Sequence, residues 1–229
     1  MNTATVPVHV AIIPDGNRRW AQTHNLPTFE GHRKGYDTAN ELIHTGHRLG
    51  ILIMTLWAFS TENWKRAQDE VGYLMQLFEM MIEKNLKEAH EEQTRIIHLG
   101  RKDRLKDSLL KKITKAEEET AQYKKRYLCI GIDYGGEDEI VRAIKKASIS
   151  PGDWTKEKLF KSLDTANLPQ QQVDLVIRTS GEQRTSGFMP LQAAYSEYYF
   201  SNKLFPDFSS KEFTKVIEDY SLRNRRFGK

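Results

Sequence analysis

Apolar residues follow two alternating patterns along the chain. Short runs rich in β-branched residues predict buried strands, and longer stretches with apolar positions at helical spacing predict helices. The strands are expected at residues 10–13, 51–59, 95–99, 127–133 and 173–177. The helices are expected directly after Asn17 and at residues 39–49, 70–90, 105–116, 137–147, 154–163 and 210–224. This alternation favours an α/β fold with a mostly parallel central sheet flanked by helices.

Polar segments follow four of the five predicted strands. The first strand is followed by Asp15-Gly16-Asn17-Arg18-Arg19-Trp20, and the second, fourth and fifth are followed by residues 60–66, 133–136 and 178–187. In a parallel sheet the carboxyl ends of the strands lie at one edge, where ligands bind. We therefore expect a single mouth that contains Asp15, Asn17, Arg18, Arg19, Asn63, Arg66, Arg178 and Arg184.

These side chains indicate an anion site. The planar fork of arginine matches phosphate oxygens, and the sequence places few acids near these arginines. The carboxylate of Asp15 calls for a cation, and Mg²⁺ is bound through one or two carboxylates together with substrate phosphates. The expected ligand is therefore a diphosphate with Mg²⁺. For residues 14–17 taken alone, an ordinary turn centred on Asp-Gly is an equally good interpretation.

Composition and missing motifs narrow the functional classes. The net charge of +4 is too small and too dispersed to indicate nucleic-acid binding. No apolar run is long enough for a transmembrane helix and no signal peptide is recognisable, so we expect a cytoplasmic protein. The sequence has no repeats, low-complexity tract or clear linker, so we expect one domain at residues 1–229. The single cysteine, Cys129, is expected to be a buried small residue rather than a nucleophile. Walker, dinucleotide-binding, zinc-binding and nucleophile-elbow sequences are absent.

Several multi-residue blocks resemble, in order, the motifs of the cis-prenyltransferases, the undecaprenyl diphosphate synthase family of isoprenyl transferases. These blocks lie at residues 15–21, 58–64, 133–136, 174–182, 206–208 and 223–228. The resemblance implies a homodimeric α/β fold with a deep hydrophobic tunnel beneath a diphosphate-binding mouth. It also implies that isopentenyl diphosphate is condensed with an allylic diphosphate, using Mg²⁺, to form a cis double bond.

The resemblance assigns roles to residues that match the family motifs. Asp15 would hold Mg²⁺ and help the allylic diphosphate to leave, and Glu197 would help to place the metal, either within the chain or across the dimer. The allylic diphosphate and its chain would be bound by Gly16, Asn17, Arg18, Arg19 and Trp20, with His32 beside the pyrophosphate.

The second and fifth strand exits would complete the implied site. Ser60 and Asn63 would lie near the reacting carbons, and Asn63 would handle the proton or position diphosphate or water. The other members of this loop are Thr61, Glu62, Trp64 and Arg66. Isopentenyl diphosphate would be bound by Arg178, Arg184, Thr185 and Ser186.

Some features leave alternatives open. The apolar stretch at residues 71–89 predicts either a plain core helix or one wall of the tunnel. This stretch carries no long insertion, which favours products of short to medium chain length. The chain departs from the family pattern at Pro14, Thr28, Gln183, Gly187 and Leu191. An irregular-coupling synthase of the lavandulyl type and a non-catalytic prenyltransferase-like partner subunit are therefore alternatives. A peripheral membrane contact for product release is a further expectation, and no nucleic-acid partner is expected.

Overall fold

A six-stranded sheet forms the centre of the protein in the computed structural model, which describes residues 6–149 and 151–223. The strands are β1 His9–Ile13, β2 Ile53–Ser60, β3 Thr94–Leu99, β4 Arg126–Tyr134, β5 Leu175–Arg178 and β6 Glu197–Phe200. Their order across the sheet is β3-β4-β2-β1-β5-β6, and every neighbouring pair is parallel. The carboxyl ends of β1, β2 and β5 therefore lie next to one another.

Helices connect the strands and cover the sheet. They are α1 Asn17–Thr23, α2 Thr28–Arg48, α3 Gln68–Glu92, α4 Asp107–Thr120, α5 Gly136–Ile149, α6 Lys156–Phe160 and α7 Ser210–Ser221. Two short 3₁₀ helices lie at Thr61–Lys65 and Phe205–Asp207. None of the helices in the described ranges is both long enough and apolar enough to cross a membrane.

The predicted fold class is confirmed, with differences at individual elements. All five predicted strands are present. The sixth strand, β6, was not predicted, because its four residues are all half-buried at the edge of the sheet and form no buried apolar run. Helix α2 begins at Thr28, whereas the sequence predicted a start near residue 39. The first turns were not predicted because they contain few large apolar side chains. Helix α7 ends at Ser221, and residue 224, its predicted end, lies outside the described residues.

Alternation along the strands divides the core into two layers. In β1, Val10 and Ile12 pack in the cluster that includes α2, α3 and α7, whereas Ala11 and Ile13 face the other side of the sheet. Cys129 of β4 is fully buried, and burial raises the pKa of its thiol to about 12. The thiol therefore stays protonated and unreactive at neutral pH, which confirms its interpretation as a buried small residue.

Candidate active site

The ends of β1, β2 and β5 surround a polar cavity of about 310 Å³. We call this cavity the mouth. The structure therefore brings together most of the residues expected there from the sequence. The predicted site residues that line it are Asp15, Gly16, Asn17, Arg18, Arg19, His32, Ser60, Asn63, Arg66, Arg178 and Ser186.

Three glycines, one in the loop after β1 and two in α2, leave no room for a side chain. Gly16 has a φ of 111°, which favours glycine, and a Cβ there would lie within about 3.1 Å of Leu204 and Ser180. In α2, a Cβ at Gly31 would lie 2.1 Å from the carbonyl oxygen of Asn17, and one at Gly35 would lie 2.5 Å from its Oδ1. The two glycines of α2 therefore let α1 pack directly on it, which fixes Asn17 at the mouth.

Arg178 links the exits of β1 and β5. Its side chain is only 6% exposed, and its Nη2 donates to Asp15 Oδ2 at 2.9 Å. Its Nη1 donates to the carbonyl oxygen of Arg184 at 2.6 Å and to Ser186 Oγ at 2.9 Å. The Thr179 hydroxyl adds a bond of 2.7 Å to the carbonyl oxygen of Asp15. One buried guanidinium thus orders the Asp15 carboxylate and the loop that carries Ser186.

Arg19 lies on the other side of Asp15. Its guanidinium donates to the Ser180 hydroxyl and lies 3.7 Å from Asp15 Oδ1 and 3.5 Å from Glu182 Oε1. The side chain of Arg184 is 61% exposed and forms an ion pair with Glu182. Arg184 therefore contributes its carbonyl oxygen to the network beneath the mouth, while its guanidinium lies outside the lining of the cavity in the described residues.

Glu70 holds the basic side chains on the opposite wall of the mouth. Its Oε1 lies 3.0 Å from Arg66 Nη1 and 3.1 Å from His32 Nε2, and its Oε2 lies 3.9 Å from Arg18 Nη1. Burial lowers the pKa of His32 despite its bond to Glu70. The expectation of few acids near the arginines is therefore wrong, because Asp15, Glu70 and Glu182 all pair with them. Glu70 was not predicted as a site residue. Acidic residues are common in the first turn of a helix, where they interact favourably with the helix dipole, so its position did not indicate a site.

The 3₁₀ helix after β2 is anchored at both ends. Asn63 Oδ1 accepts the backbone N–H of Ser60 at 3.0 Å, so Ser60 and Asn63 form a reciprocal cap. Trp64 Nε1 donates to Oδ1 of the fully buried Asp133 at 2.9 Å, and Arg104 forms an ion pair with the same carboxylate. Asp133 and Arg104, which the sequence did not indicate as a pair, thereby hold the loop that presents Asn63.

Several predicted site residues do not line the mouth among the described residues. They are Trp20, Thr61, Glu62, Trp64, Arg184, Thr185 and Glu197. Trp20 Nε1 donates to Asp207 Oδ1 at 2.7 Å, and its ring stacks on His24.

Glu197 does not line the mouth of its own chain among the described residues. It is paired with Leu175, the first residue of β5, whereas Arg178, the last residue of β5, lines the mouth. Its carboxylate accepts a hydrogen bond from Arg223 at 2.8 Å. Within one chain the structure therefore does not bring Glu197 to Asp15.

An apolar cavity adjoins the mouth and is lined by residues of α2, α3 and β2. The two cavities share Pro14, Asn17, His32, Ala58 and Leu74 in their walls. The apolar cavity measures about 60 Å³, and its deeper walls include Leu77, Phe78, Met81, Ala39 and Ile43. Helix α3 therefore serves as a core helix, which confirms that interpretation of residues 71–89, and it also forms a wall of this cavity. Its role as a wall of a substrate tunnel stays a prediction.

The donors of the mouth fit a magnesium ion that is shared with a ligand. The Asp15 side chain is 34% exposed and borders the cavity. Across the described residues, no group of three or more His, Cys, Asp and Glu side chains is arranged to hold a metal by itself. One carboxylate together with phosphate oxygens and water is a usual ligand set for Mg²⁺. Asp15 is therefore the side chain that would hold the ion.

Two departures from the family pattern have a local structural role. Pro14 stands where the polar mouth meets the apolar cavity and lines both. Gly187 has a φ of 78°, and its carbonyl oxygen accepts the N–H of Gly136 at 3.1 Å. Nothing in the structure explains the residues at the other departures, which are Thr28, Gln183 and Leu191.

Comparison with known sequences identifies relatives along the whole chain. A profile described as putative undecaprenyl diphosphate synthase matches residues 13–228. The isoprenyl transferase of Aquifex pyrophilus is 43% identical over 225 residues, which cover 98% of this chain and 96% of the relative. That of Thermotoga maritima is 42% identical over 228 residues, which cover 97% of each chain.

Solved structures share the fold. Lavandulyl diphosphate synthase from Lavandula x intermedia, in complex with dimethylallyl diphosphate, has a TM-score of 0.93 and 33% identity, with 98% of this chain and 99% of that chain covered. A probable undecaprenyl diphosphate synthase from Campylobacter jejuni has a TM-score of 0.83 and 32% identity, with 98% and 100% covered. Because the profile and the relatives span nearly all of its length, the chain belongs to the undecaprenyl diphosphate synthase family of isoprenyl transferases and is a prenyl-transferring enzyme.

Proposed function

We propose that the protein is a Mg²⁺-dependent cis-prenyltransferase that condenses isopentenyl diphosphate with an allylic diphosphate to give a Z-prenyl diphosphate. The observation that carries this proposal is that the arginine-lined mouth and the apolar cavity are adjacent and share part of their walls. A prenyl diphosphate has the same two parts, a charged head and an apolar chain. The mouth matches the head, and the cavity between α2 and α3 matches the chain.

The reaction breaks one bond and forms another. The bond between C1 and oxygen of the allylic diphosphate breaks, and pyrophosphate leaves with the electron pair. The terminal alkene carbon of isopentenyl diphosphate forms the new bond to C1, and C2 then loses a proton, which an oxygen of the departing pyrophosphate would accept, to give the new double bond. An allylic cation reacts with water, so the apolar walls beside the mouth protect it.

The chain's own residues supply charge and position. Arg18, Arg19 and the loop at Gly16 and Asn17 would hold the allylic diphosphate, and Arg178 with Ser186 would hold isopentenyl diphosphate. Guanidinium groups stabilise the charge that develops on the departing pyrophosphate. Asn63 Oδ1 is already bonded to Ser60, which leaves its NH₂ group as a donor, so Asn63 would position a diphosphate oxygen rather than accept the proton.

Magnesium would be held by Asp15 together with diphosphate oxygens. When bound, the ion would supply further positive charge for the leaving pyrophosphate. Asp15 borders the mouth between Arg178 and Arg19, so an ion held by its carboxylate would lie beside a diphosphate bound in the mouth.

Product analysis tests the proposal. The protein is incubated with isopentenyl diphosphate, Mg²⁺ and, separately, dimethylallyl, geranyl and farnesyl diphosphate. Elongated products with a new Z double bond are expected by mass spectrometry and NMR. Absence of turnover with every allylic substrate, in a folded sample, would contradict the proposal and favour a non-catalytic partner subunit.

Irregular coupling is the second candidate, favoured by one comparison. The TM-score to lavandulyl diphosphate synthase is 0.93, against 0.83 for the Campylobacter jejuni protein. The residues of the mouth can bind two diphosphates in either reaction, and the difference lies in which carbon is attacked. A branched product formed from dimethylallyl diphosphate alone would support this candidate over regular elongation.

We expect short products, because the apolar cavity ends at polar side chains. Asn40 and Asn85 are buried and line both this cavity and a smaller pocket that also contains His44, Glu88 and Glu92. A growing chain would have to displace two buried amides and then approach charged groups, which is unfavourable for an alkyl chain.

Asn85→Ala is therefore expected to shift the product distribution toward longer chains by several-fold, measured by chromatography of dephosphorylated products. Met80→Ala is the matched control, because Met80 lies on the same helix but is 58% exposed. An Asn85→Ala distribution identical to that of the parent protein would show that these amides do not limit product length.

Assembly as a homodimer is the remaining part of the proposal. The edge strand β6 presents half-buried residues, and Tyr195 just before it is 75% exposed. A second chain packed on this edge would cover them. Because Glu197 lies away from its own mouth, a role in metal placement requires that it reach the mouth of the partner. A monomeric mass in solution, measured by light scattering, would exclude that role.

A further inference from the structure

We propose that Glu70 is an internal competitor for the diphosphate: it binds Arg18 and Arg66 in the free enzyme and gives them up when substrate binds. This inference rests on the proposed function, because it assumes that the mouth receives a diphosphate. The Glu70 carboxylate contacts no reacting atom but controls the charge available to the ligand.

The contacts of Glu70 place it behind the mouth. Its side chain is 15% exposed and does not line the cavity, whereas all three of its basic neighbours do. Those neighbours belong to three different segments: Arg18 to α1, His32 to α2, and Arg66 to the loop before α3. One carboxylate thus joins every basic side chain on this wall of the mouth.

The position of Glu70 on α3 links these contacts to the apolar cavity. Glu70 is in the first turn of the helix, and Leu74, four residues later, lines both the mouth and the apolar cavity. Residues four apart lie on the same face of a helix. Glu70 therefore lies on the same face of α3 as Leu74, one turn before the point where the mouth and the apolar cavity share a wall.

The charges explain why a carboxylate is needed there. Arg66 is mostly buried and lies near Arg18, and burial lowers its pKa, with Arg18 adding to that effect and Glu70 opposing it. Without an anion, the guanidinium of Arg66, whose side chain is 25% exposed, would lie near a second positive charge, that of Arg18, which solvent screens in part because its side chain is 56% exposed. Glu70 supplies that anion in the free enzyme, and diphosphate oxygens would supply it in the complex.

An exchange of partners follows for the two arginines. Arginine forms strong, paired hydrogen bonds with both carboxylate and phosphate. Because Glu70 Oε2 is 3.9 Å from Arg18, its hold on that side chain is weak, whereas its contact of 3.0 Å with Arg66 is close. Binding of a diphosphate would therefore recruit Arg18 first and Arg66 second, and release of pyrophosphate would return both to Glu70.

A purely positioning role for Glu70 makes the opposite prediction for affinity. If the carboxylate only holds the arginines in place, its loss disorders them and weakens diphosphate binding. If it competes for them, its loss leaves them free and strengthens binding. The sign of the change in affinity therefore separates the two roles.

Titration of inorganic pyrophosphate into the full-length protein tests the proposal by calorimetry, without turnover. Glu70→Gln keeps the shape and one hydrogen bond but removes the charge, and its Kd is expected to fall about fivefold, a change that corresponds to ~1 kcal/mol. Glu83→Gln is the control, because Glu83 lies on the same helix, is 62% exposed and pairs with Lys112. In an Arg66→Met background, Glu70→Gln is expected to give a smaller gain or none.

A Kd for Glu70→Gln that is unchanged or higher than that of the parent protein would overturn the proposal. Glu70→Asp retains the charge and provides a second variant, for which no tightening is expected; tightening equal to that of Glu70→Gln would also overturn it. Failure of the parent protein itself to bind pyrophosphate would contradict the proposed function and with it this inference, so the two failures are distinguishable.

Discussion

Asp15→Asn is expected to lower kcat by about 10³-fold, the largest effect among the single substitutions considered. Asp15 is the one carboxylate that lines the mouth among the described residues, and it lies between Arg178 and Arg19. The substitution removes the negative charge that would hold Mg²⁺ beside the leaving pyrophosphate. Steady-state turnover with saturating substrates measures the effect.

The fold is expected to survive this change. The amide oxygen of asparagine can still accept the bond that Arg178 donates, so the buried guanidinium keeps a partner. Circular dichroism and thermal unfolding check this point. Asp37→Asn, at an exposed position on α2, is the control for removal of one acidic charge. Turnover of Asp15→Asn within a few-fold of the parent protein would show that the assigned role of Asp15 is wrong.

Arg178→Lys is expected to lower kcat/KM for isopentenyl diphosphate by about 10²-fold or more, with a smaller effect on kcat/KM for the allylic substrate. The guanidinium of Arg178 bonds simultaneously to Asp15, the carbonyl oxygen of Arg184 and Ser186 Oγ. A lysine ammonium is a point charge and cannot reproduce this planar arrangement. Separate titrations of the two substrates measure the effect.

Arg142→Lys is the matched control for Arg178→Lys. Arg142 is also a networked arginine, with contacts of 2.7 Å to both Asp138 and Asp164, but it does not line the mouth. Its replacement is expected to lower thermal stability while leaving kcat/KM for both substrates close to that of the parent protein. Equal losses of kcat/KM for the two substrates in Arg178→Lys would contradict its assignment to the isopentenyl diphosphate side.

The convergence of the strand exits followed from the sequence because it depends on local patterns. Apolar runs identify the strands, and a parallel sheet places all their carboxyl ends at one edge. Asp15, Asn63 and Arg178 meet there although they are separated by dozens of residues along the chain. The edge strand β6 was not predicted because its sequence lacks such a pattern. Its four half-buried residues form neither a long apolar run nor a regular alternation.

The pairing of the charges could not be predicted in the same way. Glu70 contacts residues from α1, α2 and the loop before α3, and those contacts depend on how the helices pack on the sheet. The number of acidic side chains that pair with the arginines of the mouth was therefore underestimated from the sequence, because Glu70 reaches them only through helix packing. Glu197 shows the same limit, because its pairing with Leu175 rather than with the end of β5 is a matter of strand register.

The sequence by itself determined the α/β fold, the family, and the set of polar segments that gather at one edge of the sheet. Hydrophobic periodicity and motif blocks are local properties of the chain, and each segment carries them independently. The tertiary structure alone decided which carboxylate faces which arginine, and that the buried amides of Asn40 and Asn85 line both the apolar cavity and the smaller pocket beside it. Those features depend on helix packing and strand register between distant segments, where a shift of one residue changes every side-chain contact.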